Sequence, residues 1–419
     1  MSGDERGGTV SGDERGGTVS GDERGGTVSG DERGGTVSGD ERGGTVSGDE
    51  RDEVPASDAG EPTRARRRQR ARGEARVPDT IATPTRYPSR LPAGTAELFL
   101  PRDVPVVWSD ESTRDDGPLD PAALAHFDEH GFVSLPSFFG SDEVRALQTE
   151  LDAQLAWATS HADDPRLVRE PDGDALRSIF AVHQTSARFE ALSRDPRLIA
   201  IARQLLDDDV YLHQTRLNLK PGFDGKEFWW HSDFETWHHE DGMPTMRCFS
   251  CVIALSDVTP HNGPVLFLPG SHRTFVGCVG ETPDENHQTS LRRQTIGVPS
   301  REAITALSEK HGLVGPTGPA GTVVLFDCNL LHASNGNITP DPRHHLFFVY
   351  SAMDNRVVDP PSGRRPRPTY VATREPRVLR PSAETSLDRT DPSSHTADAS
   401  PRSTPRSTPP STDRASRPS

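Results

Sequence analysis

Beyond Val210 the sequence is a succession of short apolar runs separated by turn-forming residues. Each run is bounded by Gly, Pro, Asn or Asp, and the runs are VYLHQTRLNL, EFWWHSDF, CFSCVIALSDV, GPVLFLPG, GTVVLFDC and HLFFVYSAM. Runs of this kind, rich in β-branched and aromatic residues, predict strands. Several short strands joined by turns favour an antiparallel barrel or jelly roll, in which side chains from different strands converge at one mouth.

Helices are expected before these strands. Ser141 can cap a helix that has four apolar residues at helical spacing, namely Val144, Leu147, Leu151 and Leu155. Asp195 followed by Pro196 predicts the start of another helix, which runs through Leu206. The predicted fold class is therefore mainly β with flanking helices.

Both ends of the chain have compositions that do not favour a packed core. Residues 2–46 are five copies of SGDERGGTV, a polar unit that is too short to bury a face. Residues 64–76 are basic but carry no aromatic residue for stacking on bases, so a solvated linker is favoured over a nucleic-acid site. After residue 355 the chain is rich in Pro, Arg, Ser and Thr. We therefore predict a disordered repeat and linker at 1–83, one folded domain at 84–354 and a disordered tail at 355–419.

Composition narrows the class of protein further. The chain has 419 residues, a formal net charge of −16 and four cysteines. The negative charge disfavours a nucleic-acid partner, and no apolar run approaches the roughly 20 residues that span a membrane. Cys248 and Cys251 form a CxxC within a β-type run and no second pair follows, so buried thiols are favoured over a zinc site or a redox pair. We expect a cytoplasmic protein that acts on a small molecule, with no membrane partner.

The segment WWHSDFETWHHEDGMP, at 229–244, contains three histidines, four acidic residues and three tryptophans. His231 and Asp233 are two residues apart, so on a strand they would project from the same face. The best third ligand is His332, which lies 99 residues after Asp233 and directly follows an apolar run. Two imidazoles and one carboxylate on one face of a metal are typical of non-heme Fe(II) oxygenases, and they leave positions open for a cosubstrate and O₂.

An arginine at the start of the last apolar run suggests the cosubstrate. Arg343 follows His332 by 11 residues. A guanidinium fork binds a carboxylate through two charge-assisted hydrogen bonds. Arg343 is therefore predicted to hold the distal carboxylate of 2-oxoglutarate, and a surface ion pair is the alternative interpretation.

These motifs resemble the phytanoyl-CoA dioxygenase superfamily of Fe(II)- and 2-oxoglutarate-dependent oxygenases. The shared order is HSD at 231–233, NGPVLFLPGSH at 262–272, and HASNGN followed by PR at 332–343. More narrowly, FWWHSDFETWHHEDGMPTMR at 228–247 resembles the signature segment of ectoine hydroxylases. The resemblance covers about residues 84–354 and implies a double-stranded β-helix core, which is a jelly roll of the cupin-like type.

The resemblance implies that ectoine, a cyclic amidine carboxylate, is hydroxylated to 5-hydroxyectoine while 2-oxoglutarate is decarboxylated to succinate and CO₂. Fe(II) would be the cofactor, and 2-oxoglutarate and O₂ the cosubstrates. The catalytic iron ligands would be His231, Asp233 and His332. Arg343 would bind 2-oxoglutarate, with Ser334 as a helper. The implied substrate-binding residues are Gln214, Trp237, Phe326 and Phe180.

Each substrate-binding residue also has a structural interpretation. Aromatic faces can enclose a delocalised cation and a Gln amide can bond its polar edge. However, Trp237 and Phe326 could be core residues, Phe180 lies outside the predicted barrel strands, and Gln214 could satisfy a neighbouring backbone group.

Other functions stay open at this point. A related oxygenase could act on another small zwitterion or an amino acid, and a barrel without catalysis could serve as a binding module. PRHH at 342–345 replaces the PRSN usual in the family, so His344 and His345 could change the substrate range. A homodimer is a further expectation.

Overall fold

A computed structural model describes residues 85–110, 112–114 and 117–382. These residues contain twelve strands and eight α-helices. The strands are β1 (Leu98–Pro101), β2 (Phe132–Leu135), β3 (Leu167–Arg169), β4 (Leu176–Phe180), β5 (Val210–Lys220), β6 (Phe228–His231), β7 (Cys248–Ala254), β8 (Val265–Phe267), β9 (Thr274–Gly277), β10 (Val323–Asp327), β11 (His332–Ser334) and β12 (Arg343–Ala352). The helices are α1 (Pro121–His130), α2 (Ser141–Ser160), α3 (Val182–Thr185), α4 (Ala187–Leu192), α5 (Pro196–Leu206), α6 (Asp233–Thr236), α7 (Asn286–Ser290) and α8 (Arg301–His311). A π-helical turn covers Trp237–Asp241, and 3₁₀ turns cover Ser271–Arg273 and Met353–Asn355.

Two antiparallel sheets form the jelly roll that the apolar runs predict. The larger sheet has seven strands in the order β2-β10-β7-β12-β5-β4-β3, and the smaller has three in the order β6-β11-β8. Their inner faces share one apolar cluster, in which Phe267 of the smaller sheet stacks on Phe132 of the larger sheet with ring centroids 5.0 Å apart. A separate pair, β1 and β9, adds a third short sheet.

The six predicted runs correspond to β5, β6, β7, β8, β10 and β12 with one informative difference, whereas the other six strands were not predicted. The run EFWWHSDF does not continue as a strand to its end, because β6 stops at His231 and Asp233 begins α6. Ser232 causes the change, since its hydroxyl accepts a hydrogen bond from the Glu235 N–H and caps the helix. The prediction that His231 and Asp233 project from one face of a strand is therefore wrong, although the two side chains still meet.

The predicted helices are present, and they pack against the larger sheet. Asp195 accepts a hydrogen bond from the Arg197 N–H at 2.8 Å and caps α5, which begins at Pro196 as predicted. In α2 the cap is Gly140, one residue before the predicted Ser141, and its N–H donates to the Glu143 carboxylate. Within the described residues, no helix combines the length and the apolar character needed to cross a membrane.

Chain packing continues beyond the domain end predicted at residue 354. Asn355 and Val371 are fully buried. Backbone hydrogen bonds attach this segment to β5. The Thr373 N–H donates to the His213 carbonyl, and the Leu379 N–H donates to the carbonyl of Val210, the first residue of β5. The structure thus places residues 355–382 on the folded domain, whereas the predicted disorder of 1–83 and of 383–419 concerns residues outside the described part.

The interpretation of the cysteines as buried thiols is confirmed. All four are free and buried. Cys248 and Cys251 lie on β7 and belong to different apolar clusters, Cys251 on the helix-covered face and Cys248 with Trp237 and Met243. Alternation along the strand therefore separates the two thiols of the CxxC.

A buried ion pair holds the loop that leads to β11. The Arg102 guanidinium donates to both Asp327 carboxylate oxygens at 2.8 Å, and both side chains are 2 % exposed. Asp327 also accepts from the Asn329 N–H at 2.8 Å, which orders the turn. We predict that Arg102→Leu lowers the free energy of unfolding by about 3–5 kcal/mol, because it leaves a buried carboxylate without its cation.

Urea denaturation would measure this change. Arg86→Leu is the matched control, since Arg86 pairs with Asp103 while both side chains are half-exposed. The control should cost less than about 1 kcal/mol. Equal losses in the two variants would show that the Arg102 pair is not a principal support of the fold.

Buried histidines should make the stability depend on pH. Burial lowers the pKa of His239, His272 and His344 to about 4 in each case. In the unfolded chain a histidine titrates near pH 6.5, so between about pH 4 and 6.5 the unfolded chain binds more protons than the folded chain. Stability should therefore fall as the pH drops through this window and stay nearly constant above about pH 7. The urea midpoint of the metal-free protein measures this, and a midpoint that rises on acidification would contradict it.

Candidate metal centre and substrate cavity

Three ligand-type side chains meet at the end of β6. His231 is the last residue of β6, Asp233 the first of α6 and His332 the first of β11. The pairing of β11 with β6 sets His332 opposite His231, with ring centroids 4.3 Å apart. The Nε2 atoms of His231 and His332 lie 3.8 and 3.9 Å from the two Asp233 carboxylate oxygens. The structure thus brings together the three residues that the sequence predicts, with their ligand atoms within 4.8 Å of one another.

Backbone carbonyls orient both imidazole rings. The Nδ1 atom of His231 lies 2.7 Å from the Trp229 carbonyl oxygen, and that of His332 lies 2.9 Å from the Leu330 carbonyl oxygen. A carbonyl can only accept, so Nδ1 carries the proton in each ring and Nε2 presents its lone pair. Burial and the neighbouring His332 lower the pKa of His231 to about 4, and burial also lowers the pKa of His332. Both rings are therefore neutral near pH 7.

This donor set fits ferrous iron. Burial acts against the charge of Asp233, but His332 and Arg216 outweigh it and lower the pKa of the carboxyl, which is ionised. The Ser250 hydroxyl donates to the same carboxylate at 3.3 Å. Two neutral imidazoles and one carboxylate are the facial ligand set of non-heme Fe(II) oxygenases. Within the part of the chain that the structure describes, no other group of three His, Cys, Asp or Glu side chains comes as close together.

Arg343 lies at one end of the cavity that contains the metal centre. It begins β12 and lines the cavity together with Ser334, the last residue of β11. The guanidinium donates to Asn218 Oδ1 at 2.9 Å and to the Gly263 carbonyl at 3.2 Å, and both acceptors are neutral. Burial and Arg177 lower the pKa of Arg343 to about 9, so its charge persists at neutral pH. A surface ion pair is excluded as its role, because Arg343 is 1 % exposed.

Lys220 is a buried neighbour of this arginine that the sequence analysis missed. Its Nζ atom donates to the Ser334 hydroxyl at 3.0 Å and to the Lys226 carbonyl at 2.8 Å. Burial and the charge of Arg343 hold the pKa of Lys220 well below its usual range. A bound dianion would remove that repulsion, so this end of the cavity is suited to a dicarboxylate.

A row of polar side chains on β5 supplies much of the cavity wall. Gln214, Arg216 and Asn218 all line the cavity, and Lys220 ends the row. Residues two apart on a strand share a face, so this alternation puts the four side chains on one side. In HQTRLNLK the polar residues Arg216, Asn218 and Lys220 follow Gln214 at every second position, and this spacing is the sequence signal for the row.

Aromatic side chains line another side of the cavity. Trp237 begins the π-helical turn and Phe180 ends β4, and both line the cavity. Phe180 therefore belongs to the seven-stranded sheet, which corrects the expectation that it lies outside the strands. Phe347 also lines the cavity and was missed, although its position four residues after Arg343 on β12 puts both on one face.

One acidic and one basic side chain line the cavity beside these aromatic residues. Glu240, at the end of the π-helical turn, and Arg367, from the segment that follows the jelly roll, both line the cavity. Arg367 donates to both oxygens of Asp241, and His213 Nε2 lies 3.3 Å from the same carboxylate. Burial opposes the charge of Asp241, but Arg367 lowers the pKa of this group to about 2. Neither Glu240 nor Arg367 was predicted.

Two predicted substrate residues have other contacts as well. Phe326 does not line the cavity: it is fully buried behind the metal centre, with its ring centroid 4.8 Å from that of His332. Gln214 lines the cavity, but its Nε2 atom donates to the Val371 carbonyl and its Oε1 atom accepts from Arg216. The structural interpretations raised for these two residues thus have support in the contacts.

His345 contacts Arg343 and does not itself line the cavity. Its Nδ1 atom lies 3.1 Å from Arg343 Nη1, and burial and Arg343 hold its pKa well below the usual range. The His344 side chain lies on the opposite face of β12, and the His344 backbone N–H donates to the Ser256 hydroxyl at 2.9 Å. Of the two histidines that distinguish PRHH, only His345 thus touches the predicted 2-oxoglutarate site.

Comparison with known proteins agrees with this geometry. Residues 127–345 match the family described as Phytanoyl-CoA dioxygenase (PhyH). The ectoine dioxygenase of Sphingopyxis alaskensis is 50 % identical over 295 residues, which cover 70 % of this chain and 95 % of that protein. The ectoine dioxygenase of Halomonas elongata is 49 % identical over 290 residues, which cover 68 % of this chain and 85 % of that protein.

A solved structure shows the same fold. The crystal structure of EctD from S. alaskensis with 2-oxoglutarate and 5-hydroxyectoine superimposes with a TM-score of 0.64 at 46 % identity, covering 71 % of this chain and 97 % of that one. The structure of the same enzyme with bound Fe gives a TM-score of 0.61 at 44 % identity, covering 70 % of this chain and 96 % of that one. The chain therefore belongs to the phytanoyl-CoA dioxygenase family and, within it, to the ectoine dioxygenases.

Proposed function

We propose that this protein hydroxylates ectoine to 5-hydroxyectoine and couples this step to the oxidative decarboxylation of 2-oxoglutarate to succinate and CO₂. The observation that carries the proposal is the position of the His231, Asp233 and His332 ligand set in one cavity that has a cationic end and an aromatic side. The S. alaskensis enzyme, whose crystal structure holds 2-oxoglutarate and 5-hydroxyectoine, supports the same reaction. A binding module without catalysis is disfavoured, because it would not need three intact metal ligands.

The cationic end of the cavity is suited to 2-oxoglutarate. His231, Asp233 and His332 would hold Fe(II), which when bound supplies the activation of O₂ that oxidation of a C–H bond requires. Arg343 would bind the distal carboxylate of the keto acid through its planar fork, with the Ser334 hydroxyl as a second donor. Because Asn218 and Gly263 already orient the guanidinium, the protein holds this end of the cosubstrate without rearranging.

The aromatic side is suited to ectoine. Trp237, Phe180 and Phe347 line this side of the cavity, and aromatic rings can enclose the planar amidinium group of ectoine. Arg216 is the cation available for the ectoine carboxylate, since its Nε atom is buried and has no hydrogen-bond partner among the described residues. Gln214 would act by bonding Arg216 and could also donate to the substrate with its remaining N–H. Phe326 would support the ring of His332 from behind.

We also propose a cytoplasmic location, because all four cysteines are free thiols, as is usual in a reducing compartment. The proposed partner is the small-molecule substrate alone, and a homodimer stays a prediction. Sedimentation of the purified protein would measure its oligomeric state.

The first test concerns the metal ligands. His332→Ala should lower the rate of 5-hydroxyectoine formation by more than about a hundredfold, because loss of a ligand exceeds the effect of losing a residue that merely supports one. The assay is mass spectrometry of ectoine after incubation with Fe(II), 2-oxoglutarate and O₂, in which the product gains one oxygen atom.

His261→Ala is the matched control, since His261 is exposed and its backbone N–H, rather than its ring, makes the hydrogen bond. It should retain full activity. Wild-type protein that forms succinate from 2-oxoglutarate but no product from ectoine would keep the oxygenase chemistry and refute the substrate.

The second test concerns Arg343. Arg343→Lys keeps the charge but loses the planar fork, so KM for 2-oxoglutarate should rise at least about tenfold while KM for ectoine changes little. Steady-state rates with each substrate varied separately would measure both constants. Arg273→Lys, at an exposed pair with Asp128, is the control and should change neither. Parallel rises in both constants would contradict the assignment of Arg343 to the cosubstrate.

A further inference from the structure

Glu240 is a buried carboxylate on the substrate side of the cavity for which the reaction as proposed has no use. It is 8 % exposed, lies at the end of the π-helical turn that begins with Trp237, and lines the same cavity as the metal ligands. A buried carboxylate is unfavourable unless a cation or several donors compensate it. Its partners therefore indicate whether its charge is structural or is directed at a ligand.

The nearby cations are already committed to other carboxylates. Arg90 donates from Nε and Nη2 to the two oxygens of Glu235, at 2.6 and 2.9 Å. Arg367 donates from Nε and Nη2 to the two oxygens of Asp241. These are two complete bidentate pairs, each with one guanidinium and one carboxylate.

Glu240 is bonded by a guanidinium nitrogen shared with one of these pairs and by an amide. Arg90 Nη2, already bonded to Glu235, lies 3.0 Å from Glu240 Oε1, and the Asn286 amide donates to the same oxygen at 2.9 Å. The Asn286 hydrogen bond and the closest Arg90 contact thus both fall on Oε1. The carboxylate is thus fixed to the protein through Oε1, and Glu240 lies on the wall of the cavity.

Nearby histidines do not supply the missing charge. Burial lowers the pKa of His239 to about 4, and burial also lowers the pKa of His287, whose ring lies near Glu240. Arg364, on the outer side of this wall, pairs with Asp284. A cation that enters the cavity can therefore balance the charge of Glu240.

We propose that Glu240 is a specificity-determining residue that recognises the delocalised cation of the substrate, a role that rests on the function proposed above. The ectoine ring carries an amidinium, whose N–H groups can donate to the Glu240 carboxylate while Trp237 covers a ring face. Arg216, on the β5 side of the cavity, would receive the substrate carboxylate. The cavity would therefore select a zwitterion by offering one acceptor and one donor of opposite charge.

Binding of two ligands to the whole chain tests this. Titration calorimetry without O₂, with Fe(II) and 2-oxoglutarate present, would compare ectoine with a cyclic lactam carboxylate of the same ring size, which is neutral where ectoine is cationic. Glu240→Gln should weaken ectoine binding at least about tenfold and change lactam binding by less than about twofold. The wild-type preference for the cationic ring would thus be lost.

Glu235→Gln is the matched control, because it makes the same chemical change at another carboxylate that binds Arg90. It should lower the thermal stability and affect the two ligands alike. Equal weakening of both ligands by Glu240→Gln, or unchanged ectoine binding, would overturn the assignment of Glu240 alone. Failure of the wild-type protein to bind ectoine would refute the proposed function, and the role of Glu240 with it.

Discussion

The antiparallel pairing of β11 with β6 is the contact on which the metal centre depends. It sets His332 opposite His231, and Asp233 follows at once because the strand ends there. The backbone carbonyls of Trp229 and Leu330 then fix the tautomer of both rings, so the lone pairs point inward before any metal binds. The ligand geometry is therefore a property of the backbone register and does not require flexible side chains to find one another.

Among the described residues, four buried arginines differ in the acceptors to which they donate. Arg102, Arg90 and Arg367 donate to both oxygens of a carboxylate, so their charges are balanced within the protein. Arg343 instead donates to an amide oxygen and a backbone carbonyl, which orient it without neutralising it. A buried guanidinium without a counter-ion is costly, and a carboxylate ligand removes that cost. The acceptor type thus separates these three structural arginines from Arg343, which is available for a ligand.

The sequence predicted the metal ligands and Arg343 from the order and spacing of HSD, His332 and Arg343, and the pairing of β11 with β6 brings the ligands together although β6 ends earlier than predicted. Lys220 and Phe347 were not predicted, although both lie at alternating positions on predicted strands, because the period of two does not tell which face of a strand lines a cavity. Glu240 was hidden for a different reason. Its neighbours Arg90 and Asn286 are distant in the chain, and no local pattern indicates that this carboxylate will line the cavity after folding.

The segment after the jelly roll is where prediction from composition failed most clearly. Its Pro-, Arg- and Ser-rich composition resembles that of a disordered tail, and few apolar residues such as Val371 anchor it. Its order depends on specific polar contacts, including Arg367 with Asp241 and the Val371 carbonyl with Gln214. Composition measures the apolar area that a segment can bury, but it does not count such contacts.

The π-helical turn connects these observations to substrate choice. Its widened turn lets the Trp237 carbonyl accept from both the Gly242 and Met243 N–H groups. Its last two residues, Glu240 and Asp241, contact segments from outside the jelly roll. The match to the phytanoyl-CoA dioxygenase family ends at residue 345, before Arg367. The shared part of the fold thus contains the metal ligands and Arg343, whereas the cavity wall that includes Trp237 and Glu240 is completed by Arg367, from a segment outside it. Such a division allows the substrate to change while the oxidative chemistry is kept.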